Sequence, residues 1–424
     1  MGKLEESRHF IDLYLHMIGL NEVPREFHLW SCLSLIAACL GDRCWVNKDT
    51  ASNVYPNLYV FLVGPSGCGK DQAIKTVMKL VADLKGERNH KLVNIWSGKM
   101  TGPAMWEYLS KSGAMTSVGQ GKHKEVTSVK PVCYYMTEEL GACVRSGELG
   151  QDLIATMTAF YMRPAQISDG TRQHGFIHLL SPTVNWLAGT TDEWMLRSVP
   201  KDSVEGGFLA RVQVVRGNRN YSVRYPRMLY PVDYQEVREH LLQRIEDLIM
   251  LDDAEFVLND EALKVHDDWY LNEKPPDDSV LLPAFNRSDD LIYKLSLLLA
   301  IAEWTGRDTV DEHGGIVYDA TIYDRHVKEA IELWRAMLYD MPATIRVANA
   351  NPQMVDVDIV RHVVRRAGTM ARSEMMTRVV GKGINKDRLD RALETLFAEE
   401  CVKEHSEMGK GTRPKVWYTW EGGE

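Results

Sequence analysis

The stretch Leu58-Tyr-Val-Phe-Leu-Val-Gly-Pro-Ser-Gly-Cys-Gly-Lys-Asp71 decides how the rest of the chain is read. Leu58 to Val63 is an unbroken apolar run of strand composition, short enough to be a buried parallel strand. From Gln72 onward apolar residues return at helical spacing, at Ile74, Val77, Met78 and Val81. Strand, glycine loop, lysine and helix, in that order, are what a phosphate-binding P-loop needs. The glycines let backbone N–H groups turn onto phosphate oxygens, and the helix N-terminus adds partial positive charge. The candidate nucleotide-binding residues are therefore Gly64, Pro65, Ser66, Gly67, Cys68, Gly69, Lys70, Asp71 and Gln72. Lys70 is expected to reach the β- and γ-phosphates of ATP.

Asp71 stands where a P-loop usually carries the Ser or Thr that ligates Mg²⁺. A carboxylate is a hard oxygen ligand that can hold Mg²⁺ directly or through water, but it sets negative charge beside a triphosphate. Either the metal geometry is altered or hydrolysis is weak. Val132 to Met136 is a second apolar strand, and it ends Thr137-Glu138-Glu139. An acid at the end of the strand beside the P-loop strand can hold Mg²⁺, and the next acid can polarise the attacking water. Glu138 takes the first role here and Glu139 the second. Thr183 to Ala188 reads as a third buried strand, ending Gly189-Thr190-Thr191. A polar side chain there either senses the γ-phosphate or makes an ordinary strand-end turn. Arg211 is flanked by apolar residues within 206–215, an odd place for a solvated charge. Its partner is either a neighbouring subunit's phosphates or a local carboxylate.

Composition sets the outer bounds. The chain has 424 residues, 45% hydrophobic and 26% charged, which suits two or three globular domains. A net charge of −9 excludes a bulk positive field for nucleic acid, so any DNA contact needs a local basic patch or a ring of protomers. The seven cysteines are scattered, odd in number and lack a C-x-x-C pair, as expected of reduced, buried thiols in a cytoplasmic protein. The most apolar long segment, Leu291 to Trp304, carries Lys294 and Glu303 and is too short to span a bilayer. No membrane association is expected.

In chain order, residues 1–50 read as a helical N-terminal segment and 51–220 as the ATPase core. Within that core, Gly113 to Lys130 is polar; Lys122 and Lys124 sit either on a hairpin that touches DNA or, the favoured reading, in a solvated loop. Ile167 to Leu180 reads as a β-hairpin with Arg172 and His174 near its tip. Residues 221–345 read as an all-α lid, with Asn259 a helix N-cap. Arg287, ahead of the third lid helix, either points back to the nucleotide or caps. Ala343 to Pro352 reads as a linker, and 353–424 follows a winged-helix order of three helices and two strands, whose third helix suits a major groove. That end carries 13 Lys/Arg against 12 Asp/Glu, while the rest is acidic.

The order of parts resembles the AAA+ helicases with a winged-helix tail, the minichromosome maintenance type among them. It is more similar still to a phage and plasmid family of helicase-like ATPases, classed as a domain of unknown function and often fused to primase–polymerase modules. The matching segments are Tyr55-Pro-Asn-Leu-Tyr59, Met136-Thr-Glu-Glu-Leu-Gly141, Leu187-Ala-Gly-Thr-Thr191, Phe208-Leu-Ala-Arg211 and Asn286-Arg287, spread over roughly residues 28–340. The resemblance implies an α/β fold with a P-loop NTPase core of AAA+ type, a helical lid and a winged helix. It implies Lys70 on the phosphates, Glu138 and Glu139 as the acidic pair, and Thr191 as γ-phosphate sensor. It makes Arg211 an arginine finger acting in trans and Arg287 a second sensor. It places Arg172 and His174 on a channel hairpin that grips single-stranded DNA. The cofactors would be ATP and Mg²⁺, the assembly a ring, a homohexamer, and a primase or polymerase a possible partner. Asp71, and Glu at 138 where the wider pattern has Asp, depart from that family.

Overall fold

The computed structural model describes residues 9–49, 52–84, 93–118, 125–144, 148–171, 175–199, 207–223, 230–251, 253–304, 309–310, 316–317, 319–349, 352–380, 384–407 and 415–422. The chain is α/β and divides into two compact units, residues 1–348 and 349–424.

Five strands build the central sheet of the first unit: β1 (Tyr59–Val63), β2 (Ile95–Ser97), β3 (Val132–Thr137), β4 (Thr183–Thr190) and β5 (Val212–Arg216). All pair in parallel, in the spatial order β5-β1-β4-β3-β2. β1 and β4 are buried along their whole length, which is why they read as continuous hydrophobic runs rather than alternating ones. The acidic strand was expected directly beside the P-loop strand. Instead β4 lies between them, pairing Leu187 with Val60 on one side and with Met136 on the other.

Side chains alternate across this sheet and define two cores. Val60, Leu62, Tyr134, Met136, Leu187 and Val215 face the helices Arg25–Leu40 and Lys70–Ala82. Tyr59, Phe61, Tyr135, Trp186 and Val214 face the helices Gly102–Ser110 and Glu148–Tyr161. Topology explains the division. The connection from β1 runs across the sheet to β2 at the far edge, whereas every later connection steps back the other way. Right-handed crossovers then put the first helix on one face and the later ones on the opposite face. Trp186 is the centre of the second core, fully buried and ringed by Tyr59, Phe61, Tyr135 and Phe208 at centroid distances of 4.9–6.0 Å.

A second sheet joins distant parts of the first unit: Ala254–Leu258 pairs in parallel with Cys44–Asp49 and with Thr321–Ile322, and Ser52–Val54 closes it. The expected lid is thus not all-α. Phe256 and Leu258 point inward from a strand set between two helices, and their alternation gives it a buried face. Lys294, on the helix Ser288–Glu303, is buried beneath the Tyr161 ring and donates to the Asn57 carbonyl (2.9 Å) and Oδ1 (2.8 Å). It ties that helix to the start of β1. Asn259 caps its helix as expected, accepting from the Ala262 N–H at 2.9 Å. The boundary between the two units falls within the expected linker, residues 343–352, but most of that stretch is helical, the helix Asp324–Asn349 running through Pro342 and on.

A third sheet carries Ala114–Val118, Glu125–Val129, Gly175–Leu180 and Gln166–Thr171, in that spatial order. Within the polar stretch favoured as a solvated loop, residues 114–118 and 125–129 form an antiparallel strand pair, since exposed strands are held by ladder hydrogen bonds rather than by an apolar face. The second unit packs helices Pro352–Ala367, Arg372–Val380 and Lys386–Ala398 on a three-stranded antiparallel sheet. Its third strand, Thr369–Ala371, is one more than the sequence suggested.

No helix among the described residues is long and apolar enough to cross a membrane. Cys32, Cys39, Cys44, Cys68 and Cys133 are buried free thiols and Cys401 is a half-buried one. Burial pushes Cys39 and Cys44 up to about 12.

Candidate functional site

The strand connections reverse direction at β1, so a crevice is expected at the carboxyl end of β1 and its neighbour β4. The glycine loop, residues 64–69, leaves β1 at that point. Gly67 and Gly69 have φ of 79° and 97°, conformations that L side chains adopt only with strain. A methyl on Gly69 would also come within 2.5 Å of Val23 Cγ2, so the N-terminal segment closes over the loop's end. The loop's beginning is held by Gly64, whose N–H donates to the Thr190 carbonyl at 3.2 Å.

Lys70 opens the helix that follows and is buried at 6% exposure. Its ammonium turns back to donate to the carbonyls of Gly64 (2.6 Å) and Pro65 (2.8 Å), with Cys68 Sγ 3.7 Å away. An anion drawn into the loop would exchange for these carbonyls.

The ends of β3 and β4 complete the crevice. Gly189 lets the two strand ends approach: a methyl there would lie 2.5 Å from the Glu138 carbonyl oxygen. Glu139 is half-buried, and one carboxylate oxygen, Oε1, is buried with no hydrogen-bond partner. Burial raises its pKa, opposed by the charge of Lys70. A desolvated carboxylate near a lysine has the character of a proton acceptor for a bound water. Glu138 points elsewhere, to Lys75 Nζ at 3.0 Å. Thr191 caps the helix Asp192–Ser198 by accepting from the Trp194 N–H at 3.3 Å, and Arg216 grips Asp192 through two hydrogen bonds of 2.8 and 2.7 Å. The Thr191 oxygen is thus fixed by the cap, with its hydroxyl proton available to a ligand.

Lys75 was not singled out in the sequence. Its ammonium sits 3.4 Å from Asp71 Oδ2 as well as 3.0 Å from Glu138 Oε2. The i,i+4 spacing from Asp71 was the available signal. The two expected metal ligands therefore do converge on one cation, and as hard carboxylate oxygens they suit Mg²⁺. In the protein alone that cation is an ammonium.

Beside this crevice is a cavity of ≈ 420 Å³ lined by Asp71, Gln72, Lys75, Met17, Tyr230 and Tyr234. The two tyrosine rings are 4.5 Å apart.

Arg211 and Arg287 lie elsewhere. Arg211 immediately precedes β5, whose first residue pairs with Tyr59 at the start of β1. Five residues of strand, about 16 Å, separate that end from the glycine loop. The turn Leu209–Arg211 packs on the helix Leu282–Phe285, which brings Arg287 alongside. Both arginines approach Gly207, and Arg211 donates to its carbonyl at 2.7 Å. Burial and the neighbouring Arg287 charge weaken Arg211's hold on its proton, opposed by Tyr161 and Tyr59. Each arginine has a buried Nε without a partner, and no carboxylate pairs with either among the described residues. The expected reach of Arg287 back to the nucleotide site of its own chain is not met, because the packing of its helix start holds it at the opposite end of the sheet.

Lys122, Lys124, Arg172 and His174 lie outside the described residues. The strands leading into and out of them do not. Glu125–Val129 and Gly175–Leu180 are parallel neighbours, Glu125 facing Phe176, so these two strands begin at the same end of the third sheet. In the second unit, Arg388 of the third helix is held by Asp356 through bonds of 2.6 and 2.5 Å, and Arg372 pairs with Asp390.

Compared with known proteins, the chain matches no family model and no curated protein.

Proposed function

We propose that the chain is an ATP-driven DNA helicase or translocase with a P-loop NTPase core of AAA+ type, working as a ring of identical copies. The observation that carries this reading is the convergence, at the carboxyl ends of β1, β4 and β3, of Lys70, Thr191 and Glu139. In this reading the glycine loop and Lys70 hold the phosphates. The tyrosine-walled cavity takes the base and sugar. Glu139 accepts the proton of the attacking water, and Thr191 donates its hydroxyl to the γ-phosphate. Mg²⁺, when bound, supplies charge neutralisation on the phosphates, with Asp71 and Glu138 as the residues that would hold it.

Two adjacent arginines with no carboxylate partner among the described residues suit an anion, and their distance from the glycine loop makes that anion a neighbour's. Arg211 and Arg287 would then act in trans on the next copy's γ-phosphate. Single-stranded DNA would run along the end of the third sheet at which the strands Glu125–Val129 and Gly175–Leu180 begin. The second unit, a winged helix in this reading, would touch duplex DNA through the exposed part of the helix Lys386–Ala398.

Steady-state ATP hydrolysis with and without single-stranded DNA tests the proposal, in the wild type, Lys70→Ala and Arg211→Ala. DNA should stimulate turnover and both substitutions should abolish it, while a mixture of the two variants recovers part at shared junctions. ATP binding with slow turnover that ignores DNA would replace the motor by an ATP-switched initiator or helicase loader.

A further inference from the structure

Asp71 follows Lys70 of the loop in a position where a neutral hydroxyl would leave the metal site less charged. The molecule answers that carboxylate with Lys75, one helical turn on, which also takes Glu138 from the end of β3. One ammonium thus stands between the two carboxylates that would hold a divalent ion. Its side chain is 56% exposed, those of Asp71 and Glu138 57% and 42%, so it is free to leave when a stronger anion arrives.

We propose that Lys75 is a built-in monovalent counter-ion that keeps divalent cations out of the Asp71–Glu138 pair until bound phosphates draw its ammonium away. The inference rests on the nucleotide reading for its setting. An ammonium and a divalent ion cannot share the space between two carboxylates, since the like charges repel at contact distance. With Lys75 in place the three charges sum to −1; without it they sum to −2, and oxygen-ligand affinity for a divalent ion rises with ligand charge. A phosphate chain in the loop reverses the preference, because it offers Lys75 several strong acceptors about one helical turn from its present partners.

The test uses Mn²⁺ alone, without nucleotide, on the full chain, with free Mn²⁺ counted by electron paramagnetic resonance. Lys75→Met should bind Mn²⁺ about tenfold or more tightly than the wild type. Lys75→Arg, which keeps the cation, should match the wild type. Adding Asp71→Asn to Lys75→Met should erase the gain and so locate the ion. Equal Mn²⁺ binding by wild type and Lys75→Met, whether weak or tight, overturns the proposal, as does a gain that survives Asp71→Asn. A parallel titration with a fluorescent ATP analogue separates the two readings. Nucleotide binding without the Mn²⁺ gain sinks only the counter-ion role, and the Mn²⁺ gain without nucleotide binding sinks only the nucleotide reading.

Discussion

Lys294 gives the sharpest stability prediction. Burial drags its pKa from the ordinary 10.5 down to about 7, with only the Asp290 charge pulling back. Between those two values the unfolded chain carries a proton on this amine that the folded chain does not. Stability therefore rises with pH across that window and is flat, from this group, below it. Each pH unit of full difference is worth about 1.4 kcal/mol. From pH 7.5 to 9.5, allowing a unit of latitude in the folded value, the gain comes to about 1.5–2.5 kcal/mol. Lys294→Met abolishes the titration, so subtracting its curve from the wild type's cancels every titration the two share, tyrosines and cysteines included. Urea unfolding at pH 7.5, 8.5 and 9.5 reads the difference. The wild type should gain about 2 kcal/mol relative to the variant over that span. Curves that stay parallel to within roughly 0.5 kcal/mol would refute the reasoning, since a lysine with an ordinary pKa contributes almost no slope in this range.

Three other outcomes follow from contacts described above. Gly189→Ala sets a methyl 2.5 Å from the Glu138 carbonyl oxygen, so thermal unfolding should show a loss of about 1–3 kcal/mol. The same variant should bind a fluorescent nucleotide at least roughly tenfold more weakly, because the acids move away from the loop. Gly69→Ala combines backbone strain of about 1–2 kcal/mol with the clash on Val23; Val23→Ala in the same chain should recover the steric part only, as a double-mutant cycle in urea will show. Arg388→Ala leaves the Asp356 carboxylate, 6% exposed, without its partner, and should cost about 3 kcal/mol in the unfolding of residues 349–424; Asp356→Leu added to it should recover most of that loss.

Three strands of the central sheet, β1, β3 and β4, were readable because they are buried almost throughout and so write themselves as continuous apolar runs. Their order was not, since a strand's own residues record burial but not which strand lies beside it. That is how β4 came to be missed as the neighbour of β1. Ala254–Leu258 hid between two helices, where five residues with only Phe256 and Leu258 inward give too short an alternation to stand out. Ala343 to Pro352 read as a linker, yet Met341 and Thr344 are buried, and that packing carries the helix Asp324–Asn349 through Pro342. At the candidate site, the glycines, Lys70 and the two glutamates were legible because loop chemistry and strand ends are local. The pairing of Arg211 with Arg287 joins residues 76 positions apart through a turn-on-helix contact that no local pattern encodes. Lys75 lay between: its link to Asp71 is local, whereas its link to Glu138 belongs to the fold.

Because all five strands of the central sheet are parallel, the glycine loop and the arginine pair mark its head and its tail. In the proposed ring, where the loop of one copy meets the arginines of the next around a cyclic axis, each junction uses one head and leaves another free for the following copy. Such an assembly has a sense of rotation written into it. Every junction points the same way around, clockwise and anticlockwise neighbours are chemically different, and a signal passed from one nucleotide to the next has only one direction in which to travel.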